Sequence, residues 1–454
     1  MSHVIAGTLR GRTAAAVADA ELHGRVTAAV DRFVAKRGEG LAGLEDADGM
    51  RRAARAVKAD VLARLPDLLE QFADQVLADG GHVCWATTAA DATRYVTEVV
   101  VASGGKVVKS KSMATEEIGL NDSLAEAGCE VVETDLGEWV IQLAGETPSH
   151  IIIPALHRDR YTIKDVLVDH AGADPDALEA DPDAIAAYAR GALRPRFLDA
   201  DVGITGANFA VAETGSIVLV TNEGNGRLAT SLPRVHVVVL GMERLVADWA
   251  QLDLMLNLLA RSASGQPLSS YTSITTGPRR PGEADGPDEL HVVILDNGRS
   301  DLLAGEFHEM LGCIRCGACL NVCPVFRQTG GHAYGWVYSG PMGAVLTPLL
   351  AAGGDDLSDA STLCGACMDA CPVEIPLQDL LLALRRDRER GVGERAAWAA
   401  WAAAWSTPRG YRTSTAAGRW GASLSPLARR WSADRTPLQP VRRPFHTRWK
   451  AGDL

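Results

Sequence analysis

Seven of the nine cysteines lie between Cys313 and Cys371, in two runs of related spacing. The first is Cys313-x2-Cys316-x2-Cys319-x3-Cys323-Pro324. Such a run aims successive sulfurs of one short loop at different irons of a cubane cluster, and the proline then turns the chain away. Gly317 and Ala318 are small, which leaves room for backbone amides to approach the cluster sulfides. The second run, Cys364-x2-Cys367-x3-Cys371-Pro372, has the same form with its first position missing, and Ser361 stands there. Structural zinc is the competing chemistry, with a histidine such as His332 supplementing the seven thiolates. The repeated cysteine-proline ending and the triplet spacing favour iron-sulfur clusters instead.

The four-cysteine run resembles that of bacterial ferredoxins, in which three thiolates wrap one cluster and the fourth ligates another. The resemblance implies that Cys313, Cys316, Cys319 and Cys371 hold a first 4Fe-4S cluster, and that Cys323, Cys364 and Cys367 hold a second. That second cluster is one thiolate short. It is either a 4Fe-4S cube with a serine, water or external fourth ligand, or a 3Fe-4S cluster. Helix-like segments, MGAVLTPLLA and PLQDLLLALRRDRER, follow the two loops. The arrangement is similar to the helical ferredoxin module of succinate dehydrogenase iron-sulfur subunits. Cys84 and Cys129 sit in apolar strand contexts and are expected to be buried, inert thiols.

A chain of 454 residues is long enough for two or three domains. Its formal net charge of -12 argues against a general nucleic-acid-binding surface. No uninterrupted apolar stretch of about 18 residues occurs and the first residues lack the apolar block of a signal peptide, so a cytoplasmic protein without a transmembrane segment is expected. In that compartment thiols stay reduced, and clustered cysteines point to metal or redox chemistry rather than disulfides.

The elements that position the cysteines fall into four parts. Residues 1–66 read as an N-terminal arm of two charged helices. Residues 67–300 alternate apolar strands with helices, at HVCWAT, KVVKS, CEVVET, HIIIPAL, FAVAET, SIVLVT, VHVVVLG and HVVILDNG, which implies a mainly parallel α/β sheet. The Thr214-Gly215 step suggests a hairpin that would make this sheet mixed. SGQPLSSYTSITTGPRRPGEADGPDEL reads as a long surface loop. Residues 301–390 form the cluster module. Residues 391–454 are a basic tail in which Trp398, Trp401 and Trp405 share one helical face, expected to dock on the body or on a partner, with contact to a membrane surface as the alternative.

Two stretches of the α/β part suggest an anion cleft. Lys109, Lys111 and Ser112 follow a strand and precede a helix. Glycines 203, 206, 215, 224 and 226 flank Glu213, Asn222, Glu223 and Arg227. No GxGxxG or Walker loop supports a nucleotide.

The combination of KSKSMATEEIGLN, GITGANFAVAETGSIVLVTNEGN, CIRCGACLNVCPV, GGHAYGWVYSGPMGAVLTPLL and STLCGACMDACPVEIP resembles the lactate utilization protein B family, iron-sulfur members of the LUD-domain proteins. The resemblance covers roughly residues 65–390. It implies that the α/β part is a LUD domain with a ribose-5-phosphate isomerase or CoA-transferase-like fold. It also implies a role in oxidising L-lactate to pyruvate, together with a cysteine-rich partner subunit and a second LUD-domain protein. Two other functions fit the residues: an autonomous enzyme binding a hydroxyacid in the LUD cleft beside an open-coordinated cluster, and a redox-sensing scaffold.

Overall fold

The computed structural model describes residues 7–388, 391–421, 443 and 445–453. By backbone proximity, Met1–Arg386 form one compact unit and Asp387–Leu454 a second. The first unit is built on ten strands: β1 (His82–Ala86), β2 (Lys106–Lys109), β3 (Glu130–Glu133), β4 (Val202–Thr205), β5 (Phe209–Val211), β6 (Ser216–Thr221), β7 (Val235–Gly241), β8 (Leu245–Val246), β9 (Tyr271–Thr275) and β10 (Glu289–Leu295).

Six of them form a parallel sheet of order β1-β10-β7-β4-β2-β3. Its centre is nearly continuous apolar sequence, broken in β7 by His236, which is hydrogen-bonded to Thr205: every residue of β7 is buried, as a strand covered on both faces requires. The direction of chain travel reverses between β2 and β4, because β2 leads outward to β3 whereas β4, β7 and β10 step the other way. In open α/β sheets such a switch point opens a crevice at the carboxyl ends of the strands.

The expected hairpin exists, with β5 and β6 antiparallel across Thr214-Gly215. It lies in a separate four-stranded sheet of order β8-β5-β6-β9, so the larger sheet stays wholly parallel. Strand β9 comes from the segment expected to be loop: Tyr271–Thr275 pair antiparallel with β6, and their burial shows no alternation that would mark a strand. The expected strand at HIIIPAL is a buried loop. There Pro154 supplies no donor, and the Ile152 and Ile153 amides donate to His150 Nδ1 at 3.0 and 3.2 Å instead of to a neighbouring strand.

The N-terminal region is not peripheral. Helices Leu9–Ala18, Ala20–Ala42 and Ala47–Ala63 replace the two expected. In the third, Ala54, Lys58, Val61 and Leu62 fall on one buried face. The second crosses helix Trp249–Ser264 so closely at Gly40 that an added Cβ would sit 2.5 Å from Gly265 O. Arg37 and Arg51 from these helices donate to the carbonyls of Ala370 (2.9 Å) and Cys371 (3.1 Å), which ties the arm to the second cysteine run.

In the second unit Trp398 meets Trp401 edge-to-face at 5.6 Å, Trp401 packs tilted on Trp405 at 5.2 Å, and Trp405 meets Tyr411 edge-to-face at 5.1 Å. All three remain about half exposed. Trp431 of the basic tail lies outside the described residues.

A buried polar chain joins the α/β layer to the cysteine loops. Arg299 donates to both oxygens of Glu117 (2.9 and 2.7 Å) and to Glu243 (2.8 Å), and Tyr338 donates to Glu117 at 2.6 Å. All four side chains are almost fully buried. Removing one partner of such a set strands an uncompensated charge. Arg299→Met is therefore expected to lower the unfolding free energy in anaerobic urea titration by about 3–5 kcal/mol. Arg196→Met, which breaks an exposed pair with Glu130, should cost less than about 1 kcal/mol.

Candidate iron-sulfur and cleft sites

Both cysteine loops adopt the same backbone. Arg315 and Leu363, each directly before a cysteine, have positive φ (58° and 54°), and Gly317 and Gly365, directly after it, follow at 75° and 85°. This correspondence pairs Cys316 with Cys364, Cys319 with Cys367 and Cys323 with Cys371, leaving Ser361 opposite Cys313. Short helices, Ala318–Asn321 and Ala366–Ala370, then carry the corresponding thiols Cys319 and Cys367. The left-handed residues turn amides toward sulfur: Arg315 N–H points at Cys313 Sγ from 3.4 Å. Ile375 N–H donates to Cys371 Sγ, also at 3.4 Å.

Cys313, Cys316, Cys319 and Cys371 line one enclosed cavity with Ile151, Ile314, Arg315 and Met342. Burial, and the proximity of Cys371 and Cys313, push the Cys316 thiol well above its ordinary range. Burial likewise pushes Cys371 up to about 11. Buried thiols such as these ionise together only around a compensating cationic core, so the four-sulfur donor set fits an iron-sulfur cube, and loading must release protons. Among the described residues no group of three His, Cys, Asp or Glu side chains converges on a single ion position.

The other three thiols differ in exposure. Cys323 and Cys367 are buried and Cys364 is exposed. Burial, then Cys323 and Cys364, push Cys367 up to about 11. Hydrogen bonds from the Ala366 amide and the Thr362 side chain hold Cys364 below the ordinary thiol value. Beside Cys323 the hydroxyl of Tyr334 is fully buried without a hydrogen-bond partner of normal geometry. The hydroxyl is directed at the Cys323 sulfur, which is the acceptor its position suits. Ser361 Oγ accepts from Leu363 N–H at 3.1 Å. His332 Nε2 lies 2.7 Å from Thr147 O and its ring packs on His157, so it is engaged away from the thiols. Cys84 and Cys129 are half-buried rather than buried, and desolvation raises both thiols.

The expected cleft opens at the carboxyl ends of β2, β4 and β7 and encloses about 390 Å³. Lys111, Ser112, Asn222 and Glu223 line it, together with Arg244 and Arg315, which sequence reasoning missed. Lys109 does not reach it: its ammonium is fully buried between Glu133 (2.6 Å) and Glu116 (3.1 Å). Glu213 and Arg227 are exposed outside it. Ser112 caps the short helix that follows, accepting from Thr115 N–H.

Ile151 and Arg315 belong to both cavities, so the cleft and the four-thiol cavity share a wall. His150 fixes that wall. Its Nδ1 accepts two amides, so the ring proton sits on Nε2 and is donated to Asn321 Oδ1 at 3.2 Å, between two cysteines of the first run. Burial lowers this histidine to about 3, keeping it neutral. Gly317 seats against the same loop, where a Cβ would lie 3.2 Å from Ile152 and 3.3 Å from His150. Gly317→Val, strained by both the positive φ and this contact, is expected to cut iron and acid-labile sulfide per chain to less than about half of wild type. Gly191→Ala, in open space on a helix, should leave both unchanged.

Three regions match known families: residues 69–295 the LUD domain, 309–375 the 4Fe-4S dicluster domain and 383–453 the lactate utilisation protein B C-terminal region. Lactate utilization protein B of Bacillus licheniformis is 49% identical over 369 residues, covering 80% of this chain and 77% of that one. The Bacillus subtilis protein of the same name is 48% identical over 370 residues, 81% and 77% of the two chains. An Escherichia coli protein described as the uncharacterized electron transport protein YkgF is 49% identical over 351 residues, 76% and 73% of the two chains. A crystal structure of a duf162 family protein from Deinococcus radiodurans aligns with 51% of this chain and 98% of its own at 14% identity and a TM-score of 0.29. A LUD domain built on a parallel sheet and a ferredoxin-type iron-sulfur module, serving lactate utilization and electron transfer, make up this chain, which belongs to the lactate utilization protein B family.

Proposed function

We propose that the chain is the iron-sulfur electron-transfer subunit of a cytoplasmic complex that oxidises L-lactate to pyruvate, acting with a cysteine-rich subunit and a second LUD-domain protein. The observation that supports this best is Cys371 lining one cavity with Cys313, Cys316 and Cys319. That grouping suits the crossed ligation of a two-cluster relay: Cys313, Cys316, Cys319 and Cys371 hold one 4Fe-4S cluster, and Cys323, Cys364 and Cys367 hold the other.

Removing two electrons and two protons from lactate yields pyruvate, and when bound each cluster supplies a one-electron couple, so two clusters accommodate one turnover. The chain's own residues set the conditions. Arg315 and Ile375 amides face the thiolate sulfurs of the first set, and Tyr334 offers its hydroxyl to the second. Exposed Cys364 brings the second set to the surface, where a partner can exchange electrons. With Ser361 and His332 hydrogen-bonded elsewhere, the second cluster is left with three thiolates, the set that suits a weakly held fourth iron or a 3Fe-4S core.

Anaerobically purified protein is expected to carry about seven to eight irons with matching labile sulfide. Stoichiometric zinc without sulfide would overturn the proposal. Cys371→Ser should damage the same cluster as Cys316→Ser in electron paramagnetic resonance spectra, and losses on different clusters would refute the crossed ligation. Mild oxidation of wild type should generate a 3Fe-4S signal that Ser361→Cys suppresses. Tyr334→Phe should lower the second cluster's potential, since loss of a hydrogen bond to sulfur disfavours the reduced, more negative state. An unchanged potential would show that the hydroxyl does not face the cluster.

A further inference from the structure

The cleft shares a wall with the four-thiol cavity, and its cationic lining is only loosely paired: Arg244 Nη1 donates to Cys313 O at 3.4 Å and the Arg315 guanidinium lies 4.4 Å over the Tyr338 ring. Arg315, more than nine-tenths buried, lines the cleft and leaves Nε without a hydrogen-bond partner. Its approach to Glu243 is long, 3.5 Å, as is that of Arg244, 3.6 Å. Lys111 Nζ is also inaccessible to solvent and makes no hydrogen bond, its nearest carboxylate oxygen being Glu138 Oε1 at 3.8 Å. Three cations with spare donors therefore face one crevice in a chain whose net charge is -12. Two carboxylates also line it. Asp135 is occupied as a helix cap, accepting from Glu138 N–H, and Glu223 is exposed at the mouth. The rest of the lining is largely apolar, from Ile151, Ile152, Leu219, Val239, Leu240 and Leu259.

Charge and apolar walls together specify a ligand class: an anionic head against Arg244, Arg315 and Lys111, and an apolar body against the isoleucines and leucines. Size narrows it. A water-sized group takes roughly 30 Å³ of liquid volume, so about 390 Å³ accommodates a ligand of about a dozen non-hydrogen atoms, about twice the six of lactate. We propose that the LUD cleft binds an organic carboxylate with an apolar body, larger than lactate, whose head contacts Arg315 and so lies against the first cluster's loop. Guanidinium groups hold a carboxylate through paired charge-assisted hydrogen bonds. Occupancy would then be felt at the cluster, because Arg315 also points Nη1 at Met342 Sδ (3.3 Å) and follows Cys313 by two residues. This site is independent of the lactate-oxidation proposal.

The test is calorimetric titration of the anaerobic, oxidised holoprotein with phenylpyruvate, pyruvate, acetophenone and inorganic phosphate. Phenylpyruvate should bind one equivalent, at least about tenfold more tightly than pyruvate, acetophenone or phosphate. It should also change the low-temperature resonance line shape of the reduced first cluster. Lys111→Met and Arg244→Met should each weaken phenylpyruvate binding by about tenfold or more, and Arg244→Lys should retain part of it. Failure of wild type to bind phenylpyruvate overturns the proposal without recourse to any variant. Tighter binding of phosphate or acetophenone than of phenylpyruvate refutes the carboxylate class, and unaltered affinity in both methionine variants places the ligand elsewhere. Because binding is read without turnover, its failure is distinguishable from failure of the electron-transfer proposal.

Discussion

The buried contact of Arg299 with Glu117 and Glu243 is the constraint on which the other features depend. Glu117 ends the short helix after β2, Glu243 follows β7, and Arg299 opens the helix after β10. One guanidinium thus clamps three crossovers at the carboxyl edge of the sheet. Glu243 extends the chain of charges to Arg244 and Arg315, and its backbone carbonyl accepts from buried Lys58 Nζ at 2.7 Å. Against the upward push of burial, Arg299, Arg244 and Arg315 hold the Glu243 carboxyl down to about 2. Four cations, Lys58, Arg244, Arg299 and Arg315, face only two carboxylates here, so the network alone carries surplus positive charge. An oxidised cube held by four thiolates is a net dianion. Placed against this network it balances the surplus, which a dry interior would otherwise penalise heavily. Under the proposed ligation the LUD domain would contribute to the cluster site electrostatically as well as sterically.

The same arrangement explains why two modules of unrelated architecture are fused. Ile151 and Arg315 form a partition one side chain thick between cleft and thiol cavity. The partition is rigid because neutral His150 is bonded at both ring nitrogens, to its own loop and to Asn321. A ligand in the cleft and a cluster behind the partition would meet across a dry, preorganised boundary, where electrostatic effects are transmitted with little screening.

Much of this was legible from residue types alone. The strands at β1, β2, β3, β5, β6, β7 and β10 are apolar runs between turn residues, and the cysteine spacing carries its chemistry in the sequence itself. The failures share a physical cause. β4, VGIT, is interrupted by a glycine in a glycine-rich stretch that reads as turn, and β8, two residues long, is too short to show periodicity. HIIIPAL has the composition of a strand, but its apolar side chains fill the junction between modules and a histidine ring satisfies its amides. Lys109 and Lys111 look equivalent in KSKS, yet Lys109 ends β2 and is buried among glutamates, whereas Lys111, two residues on and past the strand, lines the cleft. Arg244, Arg315 and Tyr334 escaped notice because a buried charge or hydroxyl has no periodic signature. A charged residue inside the small-residue loop CIRCGAC was the one available signal for Arg315.

The central claim, that this chain's two clusters carry the electrons of lactate, is tested most directly by freeze-quench electron paramagnetic resonance on the intact, oxidised, anaerobic complex mixed with L-lactate. Reduced signals from both clusters should appear within the first turnover, in step with pyruvate formation, and should vanish on adding an electron acceptor. Pyruvate forming at the full rate while both clusters remain oxidised throughout would contradict the claim.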